Sequence, residues 1–160
     1  MKECVIQQIE STSIPLQNPV SGAWSVYRSL LTEHKRQMLP ILEDMTELLE
    51  DDVVQHCLIM LPIEVNSQLD FQVLFRGSSI PGSDMARFKF GELYSHHILP
   101  EFAEERLREL ATTLTLKQPR FSKTLSARRS ALDVVVYRGV FPAWSAEYKQ
   151  HAVILAIAAA

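Results

Sequence analysis

From Gln55 to Ile80 the chain reads QHCLIMLPIEVNSQLDFQVLFRGSSI. This stretch spells out a β-hairpin and its exit. The first arm, 55–65, is almost wholly apolar. Asn66, Ser67 and Gln68 form a polar turn. The second arm alternates, with Leu69, Phe71, Val73 and Phe75 on one side and Asp70, Gln72, Leu74 and Arg76 on the other. Period-two alternation marks a strand with one buried face, so Phe71 and Phe75 are both expected on the helix side of a sheet. Gly77-Ser78-Ser79-Ile80-Pro81-Gly82 then breaks the strand.

Composition frames what this hairpin belongs to. A chain of 160 residues makes one domain with room for a core. With 47% hydrophobic and 22% charged residues it is a folding rather than a disordered sequence. A net charge of −3, with basic residues dispersed apart from Arg128-Arg129, gives no footprint for nucleic acid. Cys4 and Cys57 make no disulfide framework, and Cys57 in an apolar strand reads as a buried thiol. The N-terminus carries Glu3, Gln7, Gln8 and Glu10 and does not resemble a secretory signal. The apolar tail 152–160 is far shorter than the ~20 residues of a membrane helix. The expectation is a soluble, cytoplasmic protein with no membrane partner.

The rest of the chain supplies the elements around the hairpin. Residues 1–21 read as an N-terminal extension, with a short strand at 4–9, and 22–160 as the domain. Trp24, Tyr27, Leu31, His34 and Met38 recur at helical spacing over 23–37. A second helix opens at Pro40, with Leu42, Met45, Leu48 and Leu49 as its stripe. After the hairpin, 81–97 is irregular, with two short helical turns. Pro100 opens a long helix to Lys117. Its acidic start and basic end suit the helix dipole, and Ala103, Leu107, Leu110 and Leu114 form its stripe. Strands are expected at 121–127, at 132–141 with a break at Pro142, and at 150–157. Short connections make these last three an antiparallel meander, reached from the hairpin by the long helix. The fold class is α+β: a five-stranded antiparallel sheet with helices on one face and an N-terminal helical extension.

This element order resembles the PAS domain, a sensory α/β fold. Particular residues are similar to a short proteobacterial family in which one PAS-like domain fills most of the chain. Trp24, Tyr27 and Arg28 stand where that family opens its first helix. Phe71 to Phe75 run into Gly77-Ser78 as its second strand does. Lys117-Gln118-Pro119 matches its junction before the third strand, and Val140-Phe141-Pro142 the end of its fourth. The likeness covers 22–157. Where the family carries a Gly-Arg-Asp-x-x-Gly-like stretch, this chain has Pro81-Gly82-Ser83-Asp84. Where it has an Asp-Gly turn before the last strand, this chain has Ala146-Glu147-Tyr148-Lys149. The resemblance implies a bacterial sensor of signal transduction that pairs as a homodimer, with Trp24, Tyr27 and Leu31 on the pairing helix. It also makes His96 or His97 the place where a haem-binding relative would ligate iron.

The residues themselves offer no reaction. His96 and His97 are adjacent and lack a partner at metal spacing. His56 and Cys57, side by side on a strand, face opposite ways. There is no Gly-x-Ser-x-Gly elbow and no phosphate-binding glycine loop. No cysteine lies in 81–97 for a flavin adduct. The acidic run from Glu43 to Asp52 lacks a calcium-loop pattern and reads as a solvated face. Arg106, Arg108, Arg120 and Lys123 make a possible basic rim near the long helix. Ile59, Leu61, Phe71, Val73, Phe75, Val134, Val136 and Ile154 are the candidates for a ligand pocket, and equally for a filled core, which close packing favours.

The expected function is a sensory or interaction domain that binds a small apolar ligand, a signalling protein partner, or both. No catalytic residue, metal or cofactor is assigned. The alternatives are a ligand-free dimerisation module and a small α+β cone-fold enzyme of the ketosteroid-isomerase type, which the early hairpin and single crossover helix disfavour.

Overall fold

A computed structural model describes residues 4–33, 39–80, 91–98, 100–127 and 133–160. In chain order these form β1 (Cys4–Ile9), α1 (Pro19–Glu33), α2 (Leu42–Leu48), α3 (Asp51–Val54), β2 (Cys57–Val65), β3 (Gln68–Arg76), α4 (Pro100–Leu116), β4 (Arg120–Ala127), β5 (Asp133–Ser145) and β6 (Gln150–Ala159). A 3-10 turn, Tyr94–His97, precedes α4. The sheet is six-stranded and antiparallel, in the order β1-β4-β5-β6-β2-β3.

The hairpin β2–β3 turns at Asn66 and Ser67, both at positive φ (51° and 62°), which suits a two-residue turn matched to strand twist. The meander β4–β5–β6 follows α4, and β6 closes the sheet by pairing with β2. The expected five strands are joined by β1, which draws the N-terminal extension into the sheet beside β4.

The helices lie on both faces, not on one. Cys57, Ile59 and Leu61 of β2 and Ala152, Ile154 and Ala156 of β6 enter a core with Tyr27 and Leu30 of α1, Met45 of α2 and Val53 of α3. The alternate residues, Leu58, Met60, Val153, Leu155 and Ile157, enter a second core with Phe71, Val73, Tyr94 and Leu110 of α4. Strands covered on both sides read as unbroken apolar runs. Tyr27 is fully buried, and its hydroxyl donates to the Pro142 carbonyl at 2.7 Å. Burial pushes the ionisation of that hydroxyl well above the usual phenol range. Trp24 stacks against Tyr27 and meets Phe121 edge-on. At Gly139 an added Cβ would lie 2.8 Å from Val20 Cγ1, so the glycine admits the start of α1 onto the sheet.

Two expectations about the strands fail for identifiable reasons. Pro142 does not end β5, which continues to Ser145 with Pro142 opposite Val153. The ladder with β4 stops at Val140, and among the described residues that side of β5 is next bonded only at Trp144, whose N–H donates to the Pro40 carbonyl, so no ladder bond is asked of Pro142. Phe75 does not share a face with Phe71. A register shift lies between Ile59 and Met60, whose partners are Phe75 and Val73, so Leu74 is bulged out of the ladder. Phe75 thus stands opposite Ile59 and is 39% exposed, while Phe71 is fully buried. The expected stripe of α4 is also rotated: its buried positions are Arg106, Leu110 and Thr113, with Leu107 and Leu114 only partly covered.

Phe71→Ala is therefore expected to cost about 3–5 kcal/mol in urea unfolding, and Phe75→Ala no more than about 1 kcal/mol. Equal losses would show that the bulge is misplaced.

Candidate functional site

Helix α4 carries charge on the side it turns to the sheet. Arg106 is 9% exposed, and the Glu109 side chain 10%. Beneath them β4 and β5 set Ser122 directly opposite Arg138, both buried. Glu109 reaches between these two. One carboxylate oxygen accepts from Arg138 Nη2 at 2.5 Å and Nε at 3.2 Å, and the other from Ser122 Oγ at 3.0 Å. Tyr94 adds a hydrogen bond to Arg138. A carboxylate and a guanidinium taken from water need this degree of pairing to be tolerated.

The electrostatics of Glu109 are a contest. Burial would raise its pKa, but the charge and hydrogen bonds of Arg138, with Arg106 and Ser122, outweigh burial and hold it below the usual carboxylate range. Arg138 mirrors this: burial lowers its pKa, and Glu109 and Tyr94 together push it above the ordinary guanidinium value. Both groups stay charged at neutral pH. Glu109 is thus a poor general acid or base, since its proton leaves far from the working range.

Glu109 and Ser122 floor a cleft of about 250 Å³ between α4 and the β1–β4 edge. Glu105, Arg108 and Thr112 of α4 form one wall, and Ile6, Gln8 and Arg120 the other. Arg120 Nη2 donates to Gln8 Oε1 across a long 3.4 Å. Arg108 pairs along the helix with Glu104 at 2.6 Å, an exposed contact of little energetic weight. The cleft presents both signs of charge, a hydroxyl and an amide, over an ion pair that is already neutralised. Such a site suits a small polar molecule or a partner's side chain, held by hydrogen bonds and ion pairs.

The residues singled out from sequence go elsewhere. Ile59, Leu61 and Ile154 pack in the core under α1, while Phe71 and Val73 lie in the core under α4, with Val136 partly buried against it. Phe75 sits near the surface. Val134 belongs to β5, opposite Ser126. Six of the candidates are thus divided between the two cores, on opposite faces of the sheet. Of the basic rim, Arg108 and Arg120 reach the cleft, Arg106 is buried, and Lys123 lies opposite Gln7 on β1. Of the α1 stripe, Tyr27 and Trp24 pack on the chain's own sheet and Leu31 remains 37% exposed. His97 contacts the Glu92 carboxylate, His96 is exposed, and His56 Nδ1 lies 3.2 Å from the Ile157 carbonyl. His34 and the 81–90 stretch lie outside the described residues. Cys57 is buried, and its thiol is pushed up to about 12 by desolvation. In the acidic run, Glu43 ties α2 to the β5–β6 turn by accepting from the Glu147 N–H at 2.9 Å and Ser145 Oγ at 3.3 Å.

Sequence reading missed Glu109, Ser122 and Arg138. The available signals were a lone arginine inside the β-branched run Val134 to Val140 and charges at helical spacing beside Leu110.

No protein-family model, no curated protein and no solved structure matches this chain.

Two outcomes follow for the pair. Arg138→Met alone should cost about 3–5 kcal/mol, and Arg138→Met with Glu109→Leu should recover most of that loss, as read by chemical denaturation. The depressed pKa of Glu109 contributes stability that is present above the unfolded value of 4.5 and is lost as pH falls through its lower folded value. The wild type should therefore lose stability below about pH 4.5 more steeply than Glu109→Gln. Parallel acid profiles would show that the pair contributes no pH dependence.

Proposed function

We propose that this chain is a PAS-like sensory or interaction domain without a reaction of its own. It takes a small polar ligand, or a side chain of a signalling partner, in the α4 cleft. The observation that carries the reading is the Glu109–Arg138 pair. Glu109 belongs to the cleft wall, and Arg138 belongs to β5, an interior strand of the sheet. A contact that displaces α4 by a fraction of an ångström must move a doubly hydrogen-bonded, desolvated ion pair and hence the sheet. The hairpin, crossover helix and meander, in the order that underlies the PAS resemblance, put that pair where the crossover meets the meander. The charge state of Glu109 supports binding over catalysis.

One observation favours a narrower reading. The apolar residues that would line an interior ligand cavity are spent in two filled cores. A module that works by protein contact alone, with no ligand, is consistent with that packing.

Native mass spectrometry of freshly purified protein separates the two. The ligand reading expects a small-molecule adduct that is lost when Arg120→Ala and Glu105→Gln are combined. A bare polypeptide mass would remove the ligand and leave the contact module. The same preparation should be colourless, with only the aromatic near-ultraviolet band. A Soret band would instead bring His96 or His97 forward as an iron ligand.

A further inference from the structure

Two charges in the α4 cleft are left over when its internal pairs are set aside. Glu109 is neutralised by Arg138, and Arg108 by Glu104. Among the described residues Glu105 enters no ion pair, and Arg120 makes only the 3.4 Å contact with Gln8. That contact is longer than an ordinary N–H···O bond, and a guanidinium has five N–H donors to place. The unspent charges are thus one of each sign, and they do not pair with each other.

Their places follow from the path of the chain. Glu105, Arg108, Glu109 and Thr112 recur at i, i+3, i+4 and i+7, one face of α4. Arg120 and Ser122 share one face of β4, with Gln8 standing opposite Ser122. Residues 117–119 join α4 to β4, and Glu109 accepts from Ser122. Arg120 is two strand residues nearer that junction than Ser122, about 7 Å. Glu105 is one helical turn farther from it than Glu109, about 6 Å. The two unspent charges therefore stand at opposite ends of the cleft, with the Ser122–Glu109 bond between them.

We infer that the cleft takes a small zwitterion with its ammonium and carboxylate at opposite ends of a short chain, an ω-amino acid. The inference rests on the α4 cleft being a ligand site. The carboxylate meets the planar fork of Arg120, and the ammonium meets Glu105. Ile6 supplies an apolar wall for the methylenes between. Each ion pair alone is partly exposed and weak, so affinity needs both ends. A molecule of one sign leaves the other charge unanswered, and so does a single charged side chain of a partner. At about 250 Å³ the cleft falls below the roughly 300–1,000 Å³ of pockets for drug-sized ligands, which limits it to a molecule of this size.

Amide NMR titrations at low ionic strength with 5-aminopentanoate, pentanoate and pentylamine read the charge requirement directly. The zwitterion should bind several-fold more tightly than either single-charge analogue and shift amides of α4 and β4. Affinity should rise from glycine through 4-aminobutyrate to 5-aminopentanoate. Arg120→Gln should reduce 5-aminopentanoate to the level of pentylamine, and Glu105→Gln to the level of pentanoate. Glu105 is exposed and Arg120 half-buried, so both variants should keep the wild-type thermal unfolding; the analogue series on the wild type stands without them. A single-charge analogue that binds as tightly as the zwitterion overturns the inference. So does glycine binding best, or a wild type that binds none of these probes. A native-mass adduct that is lost in the Arg120→Ala, Glu105→Gln protein but not displaced by excess 5-aminopentanoate keeps the cleft as a ligand site and removes the zwitterion. The lack of both adduct and amide shifts removes both.

Discussion

Strands β2 and β6 lie side by side in the sheet, and over the stretch where they pair neither offers a face to water. From Cys57 to Leu61, and from Ala152 to Ala158, every residue is buried. This double burial constrains everything else. A sheet with one wet face needs one layer of helices, whereas this pair needs two. The N-terminal helices must cover one side and the crossover helix the other. The small residues Ala152, Ala156 and Ala158 let the α1 layer approach closely, while Val153, Leu155 and Ile157 fill the space under α4. Where pairing between β2 and β6 ends, at Met60 and Val153, the next residue but one is Pro62, which has no donor to offer a further ladder.

This constraint also explains what was legible in the sequence. The hairpin, its turn, the long helix and the antiparallel meander could be read because each has a local signature: alternation, a polar turn, helical spacing, short connections. The number of helical layers depends on what covers each face, which is a tertiary fact. The clue was present, since an all-apolar run such as Cys-Leu-Ile-Met-Leu implies burial on both sides. Reading one face from the neighbouring alternation of β3 carried an edge-strand pattern into an interior strand. Phe75 was misplaced for a related reason. Strict alternation assumes an unbroken register, and a one-residue bulge at Leu74 reverses every side chain beyond it. Pro142 was read as a stop because a proline ends a strand flanked on both sides, yet here β4 has already departed.

The site was far less legible than the fold. Glu109, Ser122 and Arg138 are distant in sequence, and none stands in a recognisable spacing with another. Each taken singly has an ordinary reading: a surface glutamate on a charged helix, a serine on an alternating strand, an arginine on the wet face of a strand. They meet only because α4 crosses the sheet where β4 and β5 place Ser122 opposite Arg138. The cleft depends equally on β1, which adds Ile6 and Gln8 as a wall from the far end of the chain. Five of the apolar pocket candidates, Ile59, Leu61, Phe71, Val73 and Ile154, are core residues. Alternation along each strand divides them between two layers, and a list drawn from several strands cannot show that division.

A buried ion pair is a weak source of net stability, because its desolvation cost rivals its attraction and an apolar pair of similar volume packs as well. The value of Glu109 and Arg138 lies in position. The apolar contacts of α4, through Leu107, Leu110 and Leu114, are non-directional and would accept a helix slid or rotated by a fraction of a turn. The two bonds from Arg138 to one carboxylate oxygen and the bond from Ser122 to the other accept one placement only. A helix displaced by a single residue, about 1.5 Å, would leave a carboxylate and a guanidinium buried apart. The pair therefore converts a layer that apolar packing leaves adjustable into one with a defined seat. It does so at the wall of the cleft, so the surface most open to binding is joined to the bond that sets how the crossover helix lies on the sheet.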